Sequence, residues 1–81
     1  MGWSASIRVV NREGDPVYGA VVSLYYWSSM DWEYTDCDGW AEFTDSSIDL
    51  MSVPIRVLTI DSVDVATDIS LTSGQTVSFT L

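Results

Sequence analysis

Apolar and polar side chains alternate residue by residue through most of this chain, and a period of two commits a sequence to extended strands with one buried face. The pattern is clearest near the C-terminus, where Val63, Val65, Thr67, Ile69 and Leu71 share one side and Asp64, Ala66, Asp68 and Ser70 the other. Thr72-Ser73-Gly74-Gln75 supplies a turn, after which Val77, Phe79 and Leu81 alternate with Thr76, Ser78 and Thr80. These two runs are expected to form a hairpin. Upstream, Ile55, Val57 and Thr59 alternate with Arg56, Leu58 and Ile60, and Asp61-Ser62 is short enough to reverse the chain directly into Val63.

The first half reads the same way. Ile7 and Val9 point to one side of a first strand, which the run Asn11 to Pro16 interrupts. Ala20, Val22, Leu24 and Tyr26 line one face of a long second strand, with Val21, Ser23, Tyr25 and Trp27 on the other. Trp32 and Tyr34 alternate with Glu33 and Thr35, and Asp36 to Gly39 turns the chain into Trp40 to Thr44. The segment Asp45 to Ser52 has a weakly helical or irregular character, with Ile48 and Met51 three apart. About seven short strands separated by turn residues, with no long helix, predict an all-β antiparallel sandwich.

Size and composition fit one such domain spanning 1-81. A chain of 81 residues buries only roughly 60% of its unfolded surface, so its core must be efficient. With 47% hydrophobic residues it has the material for one, and it is too apolar for a disordered acidic tail despite a net charge of -9. No internal repeat, low-complexity tract or linker marks a second domain.

Nine Asp and three Glu stand against three Arg, with no Lys. Almost nothing is available to displace phosphate counterions, so no nucleic acid partner is expected, and an anionic membrane surface is disfavoured on the same ground. The acidity reads as solvation; adaptation to high salt and mimicry of nucleic-acid charge are the rival readings. No apolar stretch approaches the ~18 residues of a membrane span, and no cationic region precedes an apolar run as in a signal peptide. The chain is therefore expected to be soluble, and mature as it stands or a piece of something larger. Cys37 is the single cysteine, so no intrachain disulfide forms. It lies in a turn between two carboxylates, the opposite of the electropositive setting that activates a thiol.

Catalysis has little to work with. The chain contains no His, which removes Ser-His-Asp and Cys-His mechanisms and His-based zinc sites. With twelve carboxylates, some spatial pair is inevitable and signifies nothing by itself. Asp36-Cys37-Asp38-Gly39 resembles the start of a calcium loop, but no Glu follows where that loop ends, and a β-turn capped by Asp explains the spacing. No enzyme activity, metal or other cofactor is expected.

Two stretches resemble a known family. Gly14, Pro16, Gly19, Ala20, Val22 and Leu24, followed by Thr35, Asp36, Gly39, Ala41 and Phe43, match the pattern of the carboxypeptidase regulatory-like domains and their transthyretin-like and Cna B-type relatives. The resemblance implies a small immunoglobulin-like (prealbumin-like) antiparallel β-sandwich of about seven strands. It further implies an accessory, adhesive or spacer role at an extracellular or cell-surface location. The internal isopeptide bond of some Cna B-type relatives needs a Lys amine, which this chain lacks.

The place most suited to binding is the run Tyr25 to Tyr34, which sets five aromatics and a Met around a Ser-rich turn. Such composition offers rigid contact area at little cost in side-chain entropy. The candidate contact residues are Tyr25, Trp27, Met30, Asp31, Trp32, Tyr34 and Trp40, for a protein or carbohydrate partner. Trp3, just before the first strand, either extends that patch or covers a sheet edge. Rival readings are an engineered binding scaffold with a designed aromatic loop, a structural spacer whose aromatics are buried, and an acidic decoy of nucleic acid with carboxylates on one face. Exposed outer strands also leave room for a homodimer formed by strand pairing.

Overall fold

A computed structural model describes residues 2–27 and 29–81. Seven strands follow one another: β1 (Trp3–Val10), β2 (Val21–Tyr26), β3 (Ser29–Tyr34), β4 (Trp40–Asp45), β5 (Ser52–Ile60), β6 (Val63–Thr72) and β7 (Gln75–Thr80). They form a three-stranded sheet in the order β4-β1-β7 and a four-stranded sheet in the order β3-β2-β5-β6. The inner faces meet in one core. From the first sheet come Trp3, Ala5, Ile7, Val9, Ala41 and Phe43, and from the second Val22, Leu24, Tyr26, Val53, Ile55, Leu58, Ile60 and Leu71. Val77 and Phe79 close one side as partly buried neighbours. The chain is thus a small all-β sandwich. Antibody constant-type domains group their strands differently, so the two-layer architecture, not the strand order, is what the two have in common.

β1 and β2 follow the period-two expectation: alternate residues of β1 are buried, and Ala20, Val22, Leu24 and Tyr26 all enter the core. Asp61 and Ser62 reverse the chain between Ile60 and Val63, both with positive φ (51° and 68°), the backbone of a tight hairpin whose twist suits its strands.

Three expectations are corrected. First, β6 and β7 are not a hairpin. They lie in different sheets, and β7 runs parallel to β1, with Ile7 opposite Val77 and Val9 opposite Phe79. In the link the chain passes from one ladder to the other: Ser73 N donates to the Met51 carbonyl at 2.6 Å, extending the pairing with β5, and Gly74 N to the Ser4 carbonyl at 2.7 Å, opening the pairing with β1. Second, Trp3 belongs to β1 and is 1% exposed, its indole Nε1 donating to the Leu71 carbonyl at 2.9 Å.

Third, the alternation in β5 and β6 changes phase midway. Val53 and Ile55 face inward, but so do Leu58 and Ile60, while Thr67 points out opposite Val57. Asp68 adopts a left-handed φ of 52° between the pairs Ile55–Ile69 and Val57–Thr67, and a register shift follows at Leu58/Thr59. A left-handed residue breaks the pleat, so the strand resumes with its faces exchanged. The connection after β4 takes the irregular of its two expected forms, with Ile48 buried and Met51 77% exposed.

The two turn motifs form one unit. Thr35 Oγ1 accepts from Ala20 N at 2.9 Å and donates to the Val17 carbonyl at 2.7 Å, and Gly19 N donates to the Thr35 carbonyl at 3.0 Å. Val9 is held by both motifs, donating to the Gly39 carbonyl at 2.8 Å and accepting from Val17 N at 3.0 Å. Gly39, with φ of 81°, leads from β3 in one sheet into β4 in the other.

Candidate functional site

Strand pairing decides which aromatics share a surface. Tyr25 lies opposite Met30, Ser23 opposite Trp32 and Val21 opposite Tyr34, all on the face of β2 and β3 turned away from Val22 and Leu24. β5 extends that face through Val57, opposite Tyr25, and Thr59, opposite Ser23. The small residues Ser23 and Thr59 are buried at its centre, while Tyr25, Met30, Trp32 (52%) and Tyr34 (61%) stand exposed around them. The Trp32 and Tyr34 rings meet edge to face, with centroids 5.3 Å apart, an arrangement that holds both rings upright on the sheet.

The other three candidates sit elsewhere. Trp27 leaves the strand with a left-handed φ of 47°, so the alternation that would align it with Tyr25 ends at Tyr26. It stays half-exposed, edge-on to Tyr26 at 5.6 Å. Asp31 points the other way from Trp32 and accepts the Tyr26 hydroxyl at 2.5 Å. Burial, then this bond and the nearby carboxylates, push the Tyr26 hydroxyl well above the ordinary tyrosine range. Trp40 is on the outer face of the opposite sheet, where it pairs with Arg8 and receives the guanidinium over its ring at 5.7 Å. It does not join the patch.

Beside Tyr25 the outer face sinks into a shallow depression of about 320 Å³, lined by Tyr25, Val57, Thr59, Ser62 and Asp64. Sequence reading missed Val57 and Thr59 because strict alternation groups them with Ile55, which the phase change undoes, and missed Ser62 and Asp64 because only the pairing of β6 with β5 brings them beside Tyr25. A more polar cleft of about 530 Å³ opens at one end of the sandwich, between Trp27 and Met30 on one wall and Asp45, Ser47 and Leu50 on the other. The Ser47 hydroxyl and amide both donate to Asp45 Oδ1, at 2.6 and 2.9 Å, holding that carboxyl below its ordinary range.

Asp36 Oδ1 accepts the amides of Asp38 (2.9 Å) and Trp40 (3.0 Å), so the acidic spacing there serves the turn. Among the described residues no three His, Cys, Asp or Glu side chains are placed to hold a metal ion, and no helix is long and apolar enough to cross a membrane. In comparisons with known proteins, no family model and no curated protein matches the chain.

Proposed function

We propose that this chain is a non-catalytic interaction module, comparable to the carboxypeptidase regulatory-like accessory domains it resembles, that binds a protein or carbohydrate through the outer face of its four-stranded sheet. The observation that carries this reading is the exposure of Tyr25, Met30, Trp32 and Tyr34 side by side on one sheet face. The buried core is built from other residues, and the part of these side chains left in water gains free energy only when a partner covers it. A spacer would be expected to bury these rings, and their exposure weighs against it. A decoy of nucleic acid would gather carboxylates on one face, whereas Asp36, Asp45 and Asp61 are spent on backbone amides in separate turns. Independence of patch and core is also what an engineered binding scaffold carries, and that reading places the contact on the same residues.

The test is a random-peptide display selection and an oligosaccharide array, each run on the wild type and on a Trp32→Ser, Tyr34→Ser double variant that remains folded at the assay temperature. Ligands retained by the wild type and lost by the variant support the reading. Equal retention by both, or none by either, rejects it.

A further inference from the structure

The depression beside Tyr25 brings together that aromatic residue, the more buried Val57 and Thr59, and the exposed, acidic Asp64. A guanidinium uses all three. Its plane stacks on the ring, its N–H fork meets the carboxylate, and its methylene stem lies against Val57 and Thr59. Charge points the same way. Asp31 and Glu33 lie opposite Leu24 and Val22 and turn from this face, but β5 and β6 carry Asp64 and Asp68 against the single cation Arg56, while Arg8 is placed over Trp40 on the opposite sheet. The chain as a whole has a net charge of -9, so a second copy would be repelled and a cationic partner steered toward it. A neutral carbohydrate would gain nothing from this field.

We infer that the outer face of the β3-β2-β5-β6 sheet docks an arginine-bearing segment of a basic protein, with one guanidinium seated between the Tyr25 ring and Asp64 and the remaining contact made over Trp32 and Tyr34. This rests on the face being the contact surface and adds the chemistry of what covers it.

The experiment is calorimetric titration of the full chain with a short peptide alternating Arg and Thr, its citrulline counterpart, and a cello-oligosaccharide. The Arg peptide binds saturably and the citrulline peptide does not. Tyr25→Ser and Asp64→Asn each weaken the Arg peptide by about tenfold, while Asp15→Asn, which removes the same charge from a distant turn, leaves it nearly unchanged. Neither side chain belongs to the buried core, so both variants stay folded at the temperature of the titration, which their melting curves verify. Equal weakening by Asp15→Asn and Asp64→Asn, or no saturable binding of the Arg peptide, overturns the inference. Oligosaccharide binding that needs Tyr25 and Trp32, without Arg-peptide binding, also overturns it but leaves the contact surface standing.

Discussion

Ala20 and Thr35 are joined twice: the Ala20 amide donates to Thr35 Oγ1 at 2.9 Å, and the Thr35 amide returns a bond to the Ala20 carbonyl at 2.8 Å. With its hydroxyl also donating to Val17, Thr35 ties the first turn motif to the second while only 2% exposed. Thr35→Val keeps the shape but strands the Ala20 amide and the Val17 carbonyl in a water-poor site. Each such group costs about 1–3 kcal/mol, so the variant should lose at least about 2 kcal/mol in urea unfolding, and Thr35→Ser should lose clearly less. A larger loss in Thr35→Ser than in Thr35→Val would mean that the methyl, not the hydroxyl, holds the motifs together.

Gly39 needs to be glycine for two separable reasons. Its φ of 81° strains any L side chain by about 1–2 kcal/mol, and a Cβ there would lie 2.5 Å from the Val9 carbonyl oxygen. Gly14 has a similar φ of 86° but open space around it. Gly39→Ala is therefore expected to destabilise more than Gly14→Ala, by about 1 kcal/mol or more from the added overlap. Matching denaturation midpoints for the two variants would show that the backbone beside Val9 yields freely.

Alkaline pH should expose the Tyr26–Asp31 bond. An unfolded tyrosine releases its proton near pH ~10, whereas burial and Asp31 keep the folded hydroxyl protonated well beyond that. Once pH passes the unfolded value, the unfolded state binds fewer protons than the folded one, and stability falls as pH rises. The contribution is whole below that point and shrinks above it. Tyr26→Phe should flatten the decline in midpoint between neutral and strongly alkaline pH while costing about 1 kcal/mol at neutrality from the lost bond. A slope unchanged in the variant would assign the alkaline loss to another group.

How much of this was legible depended on whether the deciding interaction was local. The β2 core face and the Asp61-Ser62 reversal could be read because side-chain period and turn chemistry act within a few residues. The phase change in β5 and β6 could not, since it turns on one left-handed Asp68 whose conformation the alternating pattern conceals. A link as short as Ser73-Gly74 serves a hairpin or a crossing equally well, and the crossing follows from the pairing of β7 with β1, a strand distant in the chain. Trp3 looked peripheral because its partner, Leu71, lies near the other end of the sequence. For the candidate site, composition located Tyr25 to Tyr34, but only pairing with β5 and β6 brought in Val57 and Asp64 and sent Trp40 to the far side.

The separation of patch from core predicts an unusual insensitivity. Trp32 and Tyr34 are large, and replacing large buried aromatics with small residues costs about 3–5 kcal/mol. These two are more than half exposed on an edge strand, so their main attachment is to each other, through an edge-to-face contact of the kind that contributes about 0.5–1.5 kcal/mol. Trp32→Ser and Tyr34→Ser should each lower stability by no more than about 1.5 kcal/mol. The double variant should fall short of the sum, because the first substitution already removes the shared contact. Solubility should rise as the apolar face shrinks. Trp3→Ala supplies the contrast: it removes a buried ring and the donor to Leu71, and should cost about 3–5 kcal/mol or prevent folding. Urea unfolding of the four variants decides the matter. A loss at Trp32 comparable to that at Trp3 would mean that the outer aromatics support the sheet, and the case for a partner on that face would go with it.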